Sequence, residues 1–129
     1  MTLDLIALLV LALWTVPLNH LPALARVRSG GVEWGLSNRD ESPSVPDWVG
    51  RADRAQRNHL DNLAVIATVI ILAHVIGRVD HVTAIAAIVI MTSRLAHSLF
   101  YVAGQPLLRS LSYFVSLLGL VAIAVHLWI

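Results

Sequence analysis

Apolar residues gather in four long stretches, at 3–25, 63–77, 82–103 and 107–129, separated by polar segments. A helix needs roughly 20 mostly apolar residues to cross a bilayer. The second stretch falls short of that alone, but a polar segment at 47–62 runs straight into it, so one helix is predicted to start near Asp47. In lipid the backbone must satisfy its own hydrogen bonds, so each stretch is predicted to be helical. The pattern predicts an all-α integral membrane four-helix bundle, residues 1–129 forming a single domain. Its helices are expected at about 3–25, 48–76, 81–103 and 107–129, with a cytoplasmic loop at 27–47.

The punctuation agrees with this division. Pro17 and Pro22 fall near the end of the first helix, where each frees a carbonyl and favours a kink. Gly30, Gly31, Ser37, Asn38, Pro43 and Pro46 mark the loop, and Trp34 and Trp48 sit where headgroup-level aromatics are common. Asp47 is a candidate N-cap, Gly77–Asp80 a tight connection, Gly104 a helix stop and Pro106 a first-turn proline.

Composition narrows the function. Only 13% of residues are charged against 57% hydrophobic, too little polar surface for a soluble domain of this size. All nine basic residues are Arg, a cation suited to bidentate recognition of carboxylates and phosphates. There is no Cys, which excludes disulfides, thiolate catalysis by the chain itself and Cys-based metal sites. Residues 1–25 carry only Asp4 as a charge, and the cations follow at Arg26 and Arg28, so the segment reads as an uncleaved helix, not a signal peptide. Arg is concentrated around the first and third loops, which predicts both termini outside and those loops cytoplasmic.

Three constellations fall at one predicted level. Arg54, Arg57, Asn58 and Asp61 share a helical face, and charges within a spanning helix are costly unless they face protein or water. Snorkelling at the interface is the alternative for Arg51 and Arg54; it does not explain an amide and an acid on the same face. Arg94, His97 and Tyr101 share a face of the third helix, and Arg109, Ser110 and Tyr113 open the fourth. A haem or metal site would need histidines paired at one depth. Such pairs are His74 with His126 or His20 with His97, and no HxxxH or HExxH pattern supports either, so no metal is expected. No phosphate-binding glycine loop is present, and no nucleic-acid partner is expected.

These segments resemble a known family. Arg54-Ala55-Gln56-Arg57-Asn58-His59-Leu60-Asp61-Asn62 is similar to the second-helix signature of the MAPEG proteins, the membrane-associated proteins in eicosanoid and glutathione metabolism. Residues 94–101 and 106–113 resemble the family's third-helix signature and the start of its fourth helix. The likeness extends over nearly the whole chain, and the short form resembles bacterial members. It implies a homotrimer in a bacterial inner membrane. Glutathione would be a bound co-substrate between subunits near the cytoplasmic face, with a lipophilic small molecule reaching it from membrane lipid. By the same resemblance, Arg26, Arg54, Arg57, Asn58, Asp61, Arg94, His97 and Ser110 would bind glutathione, and Arg109 and Tyr101 would be catalytic. Family enzymes usually carry Glu where this chain has Asp61, one methylene shorter. The physical chemistry fits: glutathione has two carboxylates and an ammonium, and an Arg beside a thiol favours the thiolate.

The reading is a glutathione-dependent transferase or peroxidase acting on a lipophilic substrate, with thiolate activation by an arginine. The alternative is a non-enzymatic membrane protein binding an anionic lipid or metabolite at the same arginines. A transporter is disfavoured because residues 84–91 of the third helix are wholly apolar.

Overall fold

The computed structural model describes residues 1–129 as four helices: α1 (Leu3–Leu36), α2 (Asp47–Val75), α3 (His81–Ala103) and α4 (Pro106–His126). Each is long and apolar enough to cross a membrane. Asp47, read from sequence as an N-cap, is instead the first residue of α2, which starts after Pro46 with no side-chain cap. The ends of α3 and the start of α4 carry the expected local chemistry. Asp80 caps α3, accepting from the amides of Val82 and Thr83 while Thr83 Oγ1 accepts from the amide of Asp80. Gly104 closes α3 in the left-handed conformation (φ 74°), and Pro106 starts α4.

The loop expected at 27–47 is shorter than predicted, because α1 continues to Leu36. Pro17 and Pro22 lie within α1, and the one non-helical residue is Gly31 (φ 83°, ψ 167°). The helix kinks at Gly31, whose positive φ suits glycine, and a second helical segment runs on to Leu36. A Cβ at Gly30 would stand 2.9 Å from Trp34, and one at Gly35 would stand 3.1 Å from Val27. The glycines therefore serve a kink at Gly31 and close side-chain approach at Gly30 and Gly35, where composition alone reads as loop.

The core joins Ala7 and Leu11 of α1, Ile66 and Ile70 of α2, Ala86, Ala87 and Ile90 of α3, and Ile123 of α4. Alanines and Gly119 let the backbones approach, as small residues do in membrane bundles. α3 touches the other three helices, whereas α1 and α4 do not meet. Only 23 of 129 residues are buried, so most apolar side chains are left for lipid or for neighbouring chains.

Side-chain ties close both ends of the bundle. At the end holding the α2–α3 turn, His74 donates to Asp4 (2.6 Å) and His126 to Asp80 (2.8 Å). At the other end Arg26 of α1 pairs with Asp53 of α2, and Arg51 donates to the Val102 carbonyl near the end of α3 (2.8 Å). The histidine pairs considered from sequence do not form: His74 meets Asp4, not His126, and His20 donates to its own helix at Val16.

Candidate functional site

The polar start of α2 runs directly into its apolar stretch. A membrane core about 30 Å thick takes roughly 20 helical residues, and counting back from the α2 end at Val75 reaches the turn that begins with Gln56 and Arg57. Arg57, Asn58 and Asp61 therefore fall in the first turns of that length, at its polar end. Arg54, Arg57 and Asp61 are exposed on the single chain, and none has an ion-pair partner within it. Arg57 and Asp61, one helical turn apart, do not pair with each other. Adjacent spacing on a helix permits such a pair, but both side chains point away from the bundle into open space.

Asn58 is held from behind. Arg94 is fully buried, and its Nη2 donates to both the Asn58 carbonyl and its side-chain Oδ1, each at 2.9 Å. With Oδ1 occupied, the Asn58 amide nitrogen keeps its hydrogens for an outside acceptor. Arg94 itself cannot reach a ligand at the surface of the chain. Its Nε and Nη1, like Nδ1 of buried His59, have no hydrogen-bond partner.

His97 is equally internal. It is 4% exposed, its Nδ1 donates to the Arg109 carbonyl (2.8 Å), and its Nε2 is unpartnered. It braces the first turn of α4 and stands edge-on to Tyr101, ring centroids 5.7 Å apart. Tyr113 approaches its other side at 5.9 Å.

The remaining groups line an opening of about 280 Å³ where α2, α3 and α4 meet. Arg51, Arg54 and Arg109 face it with Tyr101 and Gln105, and no acid lines it. Arg109 lies over the Tyr101 ring, 4.7 Å from its centroid, which fixes the guanidinium beside the phenol. Ser110 donates to the Pro106 carbonyl (2.9 Å), leaving its oxygen free to accept. Arg26 stands apart from this opening, tied to Asp53.

The candidates thus divide into three sets. Arg54, Arg109 and Tyr101 converge within one chain. Arg57 and Asp61 face outward beside Asn58. Arg94 and His97 lie behind both sets as supports. Sequence reading did not pick out His59 or Gln105. The signal for His59 was present: it continues the face of Ala52 and Ala55, small residues that are buried. It donates to the Leu11 carbonyl (2.9 Å), a bond between α2 and α1.

Chemically, the arrangement offers several unneutralised guanidiniums, one exposed carboxylate and one oriented amide at a membrane interface. That set suits a ligand with anionic groups and one cationic group. A family model described as the MAPEG family matches residues 4–129. Comparison with curated proteins and with solved structures returns no match.

Proposed function

The chain belongs to the MAPEG family, and from that premise we propose that it is a membrane glutathione-dependent transferase or peroxidase acting on a lipophilic substrate. The observation that carries this reading is the outward set on α2. Arg57 and Asp61 are exposed without partners at the polar end of the α2 span, flanking an asparagine whose side chain is locked by buried Arg94. Charges facing lipid at the helix centre cost about 3 kcal/mol each, less toward the interface. A second copy laid against this face removes that cost, and a bound zwitterion pairs the charges. The proposed assembly is a homotrimer in a bacterial inner membrane, both termini outside, with the site near the cytoplasmic face.

In this reading Arg57 takes a glutathione carboxylate, Asp61 its ammonium, and the Asn58 amide a peptide or carboxylate oxygen. Arg54 and Ser110 border the same ligand, and Arg26 contributes positive potential reduced by Asp53. Arg109, held on the Tyr101 ring, stabilises the thiolate, and the positive end of α4 adds to it. The thiol proton leaves to water. The thiolate then attacks an electrophilic carbon, forming a C–S bond as the leaving group departs. With a hydroperoxide the thiolate attacks the terminal oxygen and breaks the O–O bond, giving glutathione sulfenic acid and an alcoholate that takes a proton from water and leaves as the alcohol. A second glutathione thiol then displaces water from the sulfenic acid to form the disulfide.

The test is glutathione titration into the purified protein in detergent, followed by calorimetry and ultraviolet thiolate absorbance at neutral pH. Wild type is expected to bind and form thiolate. Arg109→Gln is expected to keep binding within a few fold while losing most thiolate. Survival of thiolate in Arg109→Gln but not in Tyr101→Phe reverses the two roles. Absence of binding in wild type leaves the anion-binding protein as the better reading.

A further inference from the structure

A wide opening on the chain lies away from the arginines assigned above. It is about 560 Å³, between α1 and the start of α2. Its apolar wall is Leu21, Leu24 and Ala25, with Trp48 opposite, and its polar end is Arg28 and Ser29. Leu21, Leu24 and Arg28 fall on one face of α1 at helical spacing. Leu21 is 57% and Leu24 66% exposed, so the wall is open to whatever surrounds the bundle.

Two features decide the occupant. The apolar run of α1 ends at Ala25 and cations begin at Arg26, so the opening straddles the boundary between hydrocarbon and headgroups. Arg28 is exposed and without an ion-pair partner, although Arg26, two residues earlier, pairs with Asp53. No acid lines the opening. An occupant that satisfies both ends has an anionic head at Arg28 and an apolar chain along Leu24 and Leu21. A zwitterionic lipid presents its own cation there, and a free phosphate leaves the wall bare.

We propose that this opening is a binding site for one anionic phospholipid, its phosphate held by Arg28 and Ser29 and an acyl chain lying against Leu21, Leu24 and Trp48. The site does not rest on the glutathione reading, since none of its residues is assigned there. Trp48 belongs to this use as an interfacial ring packed on the acyl chain near the headgroup.

The experiment is native mass spectrometry of the full chain in detergent, titrated with dioctanoyl phosphatidylglycerol or dioctanoyl phosphatidylcholine. Wild type is expected to retain a phosphatidylglycerol adduct in preference to phosphatidylcholine. Arg28→Gln is expected to weaken phosphatidylglycerol by about fivefold, the effect of one basic residue near an anionic surface. Arg39→Gln, on a residue bound to the Gly35 carbonyl outside the opening, should leave it unchanged. Leu24→Gln is expected to weaken both lipids. Equal retention of the two lipids overturns the proposal, as does an unchanged affinity in Arg28→Gln. Displacement of the adduct by inorganic phosphate alone overturns it too, by removing the acyl chain from the account. If Leu24→Gln instead dissociates the oligomer and no lipid is retained, the opening is a contact between copies and the proposal fails.

Discussion

Arg94 carries a charge in a place where charge is costly. It is fully buried in α3, and two of its three guanidinium nitrogens have no partner. Its one strong attachment is to Asn58. Arg94→Met keeps the length and much of the volume while removing an underpaired buried cation, and such replacements are often neutral or stabilising. Losing the donors to Asn58 opposes this by about 1–3 kcal/mol. The two effects nearly cancel, so the melting temperature should move by only a few degrees in either direction. Glutathione affinity should fall by about tenfold, the worth of one well-oriented polar contact. A calorimetric titration beside a thermal melt checks the split; a large loss of stability with unchanged affinity makes Arg94 purely structural. At this scale the residue types and their spacing were legible in the sequence. What was not legible was depth. Arg94 and His97 resemble ligand-binding positions, yet close packing of α3 against α2 and α4 hides them, and no single helix encodes that. Arg57 and Asp61 show the opposite case: one helical turn apart, they remain exposed and unpaired within the chain.

Among the elements, α3 and α4 depend on Gly119. A Cβ there would stand 2.8 Å from Ile90 Cγ1 and 3.1 Å from the Ala86 carbonyl oxygen. The backbone oxygen cannot swing aside, so Gly119→Ala should separate the helices and cost about 1–3 kcal/mol, measured by thermal or denaturant unfolding in detergent. The far end of the same pair is tied by Asp80. Desolvation raises its pKa. Hydrogen bonds from the Thr83 and Val82 amides and from His126 outweigh that, so the carboxyl titrates below its ordinary value. A depressed folded-state pKa means stability that is complete above the unfolded value and lost as pH falls through the folded one. Acidification through about pH 4 and below should therefore lower the melting temperature of wild type more than that of Asp80→Asn. Equal acid sensitivity would remove the Asp80 ties from the account. Three helix boundaries were legible from apolar length, Asp80, Gly104 and Pro106. The extension of α1 was not, because glycines that signal a loop by composition serve here to seat Trp34 and Val27.

The whole chain looks unfinished as a single copy. Only 23 of 129 residues are buried, α1 and α4 do not meet, and Arg57 and Asp61 are exposed without partners. Arg109 and Tyr101, by contrast, line an opening that neither Arg57 nor Asp61 borders. The central claim is that glutathione binds where the α2 face of one copy meets the Arg109 end of another. The direct measurement is glutathione binding by mixed oligomers. Arg57→Ala and Arg109→Gln chains are co-expressed with different tags and purified through both. Each variant alone lacks one half of every site, and it should bind weakly or form no thiolate. In the mixture, an Arg57 from one chain meets an Arg109 from the other, so some sites are complete. The account predicts that the doubly purified oligomer recovers glutathione thiolate absorbance, at a fraction of wild type. Recovery of none, with both variants folded and associated, would place every binding group within one chain and contradict the account.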